Sequence, residues 1–262
     1  MLLGLAEAGI TPDLIVGTSV GAVNGGWVAS RPDIAGIEAL ADVWGSLSRN
    51  DVFPTHLVLG LLGFLGRRPN LVSDSGLRRL LTDHLRFSRL RDAPIPLHVV
   101  ATDVLSGHDV LLSSGDAVDA IAASAAIPAI FPPVNIDGRY LFDGGVVNNT
   151  PLSHAVALGA DPVWVLPTGY SCALPEPPIG ALAMALHALI LTINQRLAVD
   201  VARFEDAVDV RVIPPLCPTS INPTDFSHSA ELIQRSHIAT RDWLATRRPV
   251  TGQAALLQPH RH

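Results

Sequence analysis

The segment PDLIVGTSVGAVNG, residues 12 to 25, constrains the fold more than any other part of the chain. Leu14, Ile15 and Val16 read as a short buried strand, and Val20 to Val28 reads as a helix rich in small residues. Ser19 then falls on the sharp turn between them, inside Gly-x-Ser-x-Gly, the arrangement of a nucleophile elbow. Gly17 and Gly21 are expected to be required there, because a Cβ at either would meet neighbouring backbone or strain the turn. Glycine and serine are also ordinary turn formers, so the pentapeptide alone fits a plain loop. The strand before it and the helix after it favour the elbow.

Alternation continues along the chain. A helix over Leu2 to Ala8, closed by Gly9, precedes the strand, and Ile34 to Leu47 reads as a further helix. Residues 51 to 72 are rich in Gly and Leu and read as a loop with a short apolar helix, and Ser73 to Leu85 as a helix with an N-cap serine. PLHVVATDV (96–104) has the β-branched run of a strand buried on both faces, and HDVLLSS (108–114) reads as another strand. After a helix at DAVDAIAASAA come strands at RYLF, PVWVLPT and VDVRVIPP, with helices at 179–205 and 229–246. No linker-like stretch or repeat interrupts this order. The expected fold is therefore α/β: a single domain over residues 1–262, with a mostly parallel central sheet flanked by helices and a disordered tail at 252–262.

Composition narrows the function. Charged residues make up 16% of the chain, against a usual share of about 25%, and mean hydropathy is +0.34. Such a chain has a large core, a surface that meets something apolar, or both. A net charge of −6 without a Lys/Arg cluster argues against a nucleic-acid partner. Cys172 and Cys217 form no disulfide framework and no zinc pattern, and no metal-ligand spacing occurs elsewhere. The N-terminus lacks the basic flank of a secretory signal and carries Glu7 in a helical pattern, so the expected location is cytoplasmic. The longest uncharged run, Pro177 to Gln195, holds His187, Asn194 and Gln195. It reads as a buried or membrane-touching helix, compatible with peripheral contact at the inner face of a membrane, and not as a span.

The second informative segment is GRYLFDGGVVNNTP, residues 138 to 151. Its strand ends in Asp143-Gly144-Gly145, which puts a carboxylate at a strand terminus, where open α/β sheets carry their sites. Taken alone, Asp-Gly reads as a turn signal. The ordered series decides otherwise: GTSVG after a strand, ASAAIPAIFPP (123–133), FDGG, NNTP, LGAD, and ELIQRSHIATRDWL near the C-terminus. Over nearly the whole chain this series resembles the patatin-like phospholipase family.

The resemblance implies the family's three-layer α/β fold and a Ser–Asp dyad in place of a Ser–His–Asp triad. Ser19 matches the nucleophile and Asp143 the general base; Gly17, Val20 and Gly21 match the elbow and oxyanion support, and Gly144 and Gly145 the loop after the base. No cofactor is implied. The chemistry is coherent, because a serine hydroxyl is a weak nucleophile until a positioned base takes its proton. A carboxylate can do so, less favourably than imidazole, since its usual pKa is about 3.9. The helix starting at Val20 aims its positive end at the turn, and the Val20 N–H is placed as one oxyanion donor. Pro128, Pro132, Pro133, Asn148 and Asn149 match positions that shape the chain around the site. His154, His187, His228 and His237 follow Asp143, as the last member of a conventional hydrolase triad would, yet none lies in a recognisable catalytic loop.

One departure stands out. Family members carry a strand and a Gly-Gly-Gly-x-Arg/Lys-Gly loop before the helix that here holds Met1, and the expected domain lacks both. Met1 is accordingly read as an internal methionine of a longer product. Losing one oxyanion donor typically lowers turnover by about 10²–10³. The function expected is a serine lipid acyl hydrolase of the phospholipase A or lysophospholipase kind, acting on a lipid or fatty-acyl ester through an acyl-enzyme. The apolar segments 57–66 and 179–193 are candidates for the acyl pocket or a membrane contact, or are ordinary core helices. The alternatives are an inactive lipid-binding or regulatory module with the same fold, and a carboxylesterase with a Ser–His–Asp triad. Oligomeric state is not legible.

Overall fold

The computed structural model describes residues 1–53, 70–168, 176–216, 225–246 and 252–257. In chain order the elements are α1 (Leu2–Glu7), β1 (Ile15–Thr18), α2 (Val20–Val28), α3 (Ile34–Ser46), α4 (Arg49–Val52), α5 (Ser75–His84), β2 (Leu97–Asp103) and β3 (Asp109–Leu112). They continue with α6 (Ala117–Ser124), β4 (Val134–Ile136), β5 (Arg139–Asp143), α7 (Gly145–Asn148), α8 (Leu152–Ala157), β6 (Val163–Val165), α9 (Ala181–Phe204), β7 (Val210–Val212) and α10 (Ser229–Ala245). The described residues fall into two compact units, one from 11–149 with 225–229, the other from 1–10 and the remaining residues after 149.

The first unit is organised around β2. Its Val99, Val100 and Ala101 are fully buried, as the β-branched run requires. On one edge β3 pairs antiparallel, from Val99↔Leu112 to Thr102↔Asp109. The other edge is shared. β1 runs parallel along its first half, ending at Thr18↔Val100, and β5 runs antiparallel along its second half, ending at Ala101↔Asp143. The two strands therefore approach each other head-on, and their C-terminal ends meet beside Val100 and Ala101. β4 lies outside β5, paired antiparallel to it.

Small residues let α2 approach the sheet. A Cβ on Gly25 would come within 2.9 Å of Ile15 Cγ2, and one on Gly26 within 2.9 Å of Ile121 Cδ1 and Leu85 Cδ2. The alanines of α6, Ala117, Ala120, Ala122 and Ala123, are likewise buried. Much of the low charge content is thus accounted for by a core of closely packed helices on a sheet.

The α/β architecture with flanking helices agrees with the sequence, but the sheet is mixed where a mostly parallel one was expected. The reason lies in the connections. β2 leads into β3 through five residues, 104–108, and β4 into β5 through Asp137-Gly138 alone, both too short for a parallel crossover. Asp137 (φ 51°) and Gly138 (φ 80°) both take positive φ, as a two-residue hairpin turn demands.

In the second unit, β6 and β7 pair in parallel, from Val163↔Val210 to Val165↔Val212. α1 lies against α10 at Gly4, where a Cβ would be 2.9 Å from Thr240 Cγ2. α9 contains the uncharged run from Ala181 onward; Leu197 and Val201 are buried, while Met184, Leu191 and Val199 are exposed. No helix among the described residues is long and apolar enough to cross a membrane. The expected disordered tail at 252–262 is corrected in part. Gln253–Leu257 form a 3-10 turn, held because the Gln253 side-chain carbonyl accepts from the Val212 N–H (2.9 Å) and Leu257 is buried. The apolar stretch 57–66 and both cysteines lie outside the described residues.

Candidate active site

The turn after β1 is strained. Ser19 sits at φ 54°, ψ −125°, a region that L-residues avoid at about 1–3 kcal/mol and hold only when their surroundings impose it. Those surroundings are specific. The Ser19 N–H donates to Ser124 Oγ (2.8 Å), and the Ser19 carbonyl accepts from Ala22 N–H (2.9 Å) and Val23 N–H (3.1 Å), closing the first turn of α2. Gly17 is needed by close approach, since a Cβ there would lie 2.5 Å from the Gly21 carbonyl oxygen. Gly21 is different. Nothing lies within 4 Å of where its Cβ would be, so the expected collision does not occur and the turn opens onto free space at that point.

Asp143 ends β5 at the meeting point of the two strands. Its Oδ2 accepts from the Ser19 hydroxyl at 2.6 Å, and its Oδ1 accepts from Gly145 N–H at 2.7 Å. Its own N–H donates to the Ala126 carbonyl (3.0 Å), and its carbonyl accepts from Thr102 Oγ1 (3.2 Å). With only 6% of its surface exposed, burial pushes the carboxyl up to about 6, against the pull of the Ser19 and Gly145 hydrogen bonds. It is therefore mainly ionised at pH 7, yet far more basic than an ordinary aspartate.

Both following glycines are closely packed, Gly144 against backbone and Gly145 against side-chain ends. A Cβ on Gly144 would stand 2.3 Å from the Val100 carbonyl oxygen, and one on Gly145 2.7 Å from Asn149 Oδ1. Val20 opens α2, where its N–H has no acceptor within the helix. α7 is anchored through Asn148, whose carbonyl accepts from Thr18 Oγ1 (2.9 Å) and whose Nδ2 donates to Asp109 Oδ2 (2.9 Å). One turn along α2 from Ser19, Val23 lines an apolar pocket with Trp27, Leu40, Trp44, Leu81 and Leu85.

A family model of patatin-like phospholipases matches residues 1–156, a span that holds both Ser19 and Asp143. The chain belongs to the patatin-like phospholipase family. Rat patatin-like phospholipase domain-containing protein 7 is 28% identical over 171 residues, covering 64% of this chain and 12% of that protein. An uncharacterized NTE family protein of Mycobacterium tuberculosis is 30% identical over 165 residues, 62% of this chain and 42% of the relative. Lysophospholipase nte1 of Aspergillus terreus is 28% identical over 174 residues, 64% and 11% respectively. The patatin-like chain thus spans less than half the length of these curated relatives.

His237 faces Glu7 (2.7 Å), His228 lies 3.8 Å from Asp225, and His154 and His187 sit on α8 and α9. The Ser19 hydroxyl donates straight to a carboxylate, the position an imidazole holds in a conventional triad. Ser124, Thr102 and Asp109 were not singled out from the sequence. For Ser124 a signal existed: one hydroxyl in the alanine-rich AIAASAA, which must find partners once that helix is buried.

Proposed function

We propose that this patatin-like chain hydrolyses fatty-acyl esters of lipids, with Ser19 as nucleophile and Asp143 as general base. The observation that carries the reading is the 2.6 Å hydrogen bond from a hydroxyl on a strained elbow to a buried carboxylate of raised basicity. In the first step the Ser19 proton passes to Asp143 Oδ2 as Oγ bonds to the ester carbonyl carbon. The oxyanion so formed faces the Val20 N–H and the positive end of α2. Collapse breaks the bond to the alcohol, which leaves with the proton from Asp143. Water then gives a proton to Asp143 and attacks the acyl-enzyme; collapse frees the fatty acid and returns the proton to Ser19. Proton and nucleophile both come from the chain, so no cofactor enters. The lysophospholipase name of one relative makes single-chain phospholipids the natural first substrates.

The test is hydrolysis of p-nitrophenyl esters and lysophospholipid by the wild type beside Ser19→Ala. Turnover should vanish in the variant. In the wild type, kcat/KM should rise with pH and level off above about 6, because only the ionised Asp143 accepts a proton. A folded wild type that binds lipid vesicles but cleaves no ester sinks this reading and leaves a lipid-binding module.

An acyl chain laid along α2 from Ser19 would pass Val23, one of the residues lining a small apolar cavity of about 30 Å³ that the chain would have to widen. Val23→Trp should then depress cleavage of long-chain esters by about tenfold, with short-chain esters hardly changed. A uniform effect on all chain lengths removes the pocket from the acyl path.

A further inference from the structure

We propose that Ser124 is a positioning residue for the reaction: its hydroxyl and carbonyl hold the elbow and the base loop to the same point of β2. The need for such a residue follows from the sheet. β1 and β5 share one edge of β2, and the neighbour of that edge changes between Val100 and Ala101. A strand ladder is interrupted at such a junction, and its buried backbone groups need other partners.

Ser124, at the end of α6 and completely buried, supplies them. Its Oγ donates to the Val100 carbonyl (2.6 Å) and accepts from the Ser19 N–H (2.8 Å), which uses the one donor of a hydroxyl and one acceptor site. Its backbone carbonyl accepts from Gly144 N–H (3.3 Å), the residue after the base. One residue thus joins strand, nucleophile and base segment: the side chain ties β2 to the elbow, and the backbone carbonyl holds the base segment. Holding the Ser19 N–H fixes the positive φ that aims Oγ at Asp143. It also commits that N–H inside the protein, so the N–H groups left to face an oxyanion begin at Val20.

The proposal rests on the Ser19–Asp143 reading, and Ser124→Ala separates the two. Loss of the hydroxyl frees the elbow to relax and stretches the Ser19–Asp143 hydrogen bond. The expected result is kcat lower by about 10- to 100-fold with KM within about twofold. Labelling of Ser19 by a fluorophosphonate should slow in parallel, a readout that needs no natural substrate. The midpoint of the pH–rate profile should move upward, since the Ser19 bond holds the Asp143 value down. Ser124→Thr keeps the hydroxyl and should restore most of kcat.

Wild-type kcat, labelling rate and pH midpoint in folded Ser124→Ala overturn the proposal. So does folded Ser124→Thr as slow as the alanine variant, or activity lost only in proportion to unfolded protein. If Ser19→Ala and Asp143→Asn still turn over, the dyad reading fails first and carries this proposal with it; if they are dead while Ser124→Ala is unimpaired, only the proposal falls.

Discussion

Asp143→Asn should abolish ester hydrolysis and, at pH 8, make the protein more stable. The catalytic half follows from the proposed proton transfer: an amide in place of Oδ2 cannot accept the Ser19 proton, and turnover should drop by at least about 10³-fold. The stability half follows from burial, which moves the carboxyl from an ordinary 3.8 to about 6. Between those values the folded chain holds a proton that the unfolded chain has released. The stabilisation associated with the protonated form is therefore complete below pH 3.8 and is lost as pH rises through about 6. Above that, the ionised group disfavours the fold by about 3 kcal/mol, from a gap of about 2 at 1.36 kcal/mol each. Asparagine removes this penalty and keeps an oxygen for the Gly145 N–H. Thermal melts at pH 4 and pH 8 should show the two proteins alike in acid and the variant several degrees higher in base. A variant that melts lower at pH 8 contradicts the assignment of Asp143 as a buried, strained charge.

The second large effect separates two glycines that the Gly-x-Ser-x-Gly pattern treats alike. Gly17→Ala drives a Cβ to 2.5 Å from the Gly21 carbonyl oxygen and 2.8 Å from Ala22 Cα. These are backbone atoms of the first turn of α2, with no rotamer to move into. The start of the helix must shift, and Ser19 with it. The expected loss is about 3 kcal/mol of stability and more than about 100-fold in turnover, as a displacement near 1 Å at the nucleophile implies. Gly21→Ala meets nothing within 4 Å. It should leave activity within about threefold and gain up to about 1 kcal/mol from helix propensity. Denaturant titration and esterase kinetics on the two variants decide the matter. If Gly21→Ala is the damaging change, substrate and not the turn's own backbone occupies the space above it.

These glycines also show how far the sequence could be read. The elbow was legible because its parts are local: a β-branched run, a turn, and a small-residue helix within about a dozen positions. The pairing of Ser19 with Asp143, 124 residues away, came from resemblance, since spacing alone says nothing of which strand ends meet. Gly17 and Gly21 look identical in sequence because contact depends on the direction of a Cβ, which only coordinates reveal. The mixed sheet was within reach, for Asp137-Gly138 between short apolar runs is a hairpin signal. Expecting a parallel sheet from strand–helix alternation hid it. Ser124 and Asp109 act through partners distant in the chain, on β2 with the elbow and on α7, so no local pattern gives their roles.

The head-on arrival of β1 and β5 on one edge of β2 sets a condition on when the protein can act. A chain that has docked β1 but not β5 exposes a serine with no proton acceptor, and one with β5 alone has a carboxylate with nothing to activate. Neither half is a weaker enzyme on the proposed mechanism; each is inert. Competence arises in a single step, when the last strand closes the gap. On the proposed mechanism a nascent or partly undone polypeptide therefore cleaves no ester, and hydrolysis would mark a finished fold.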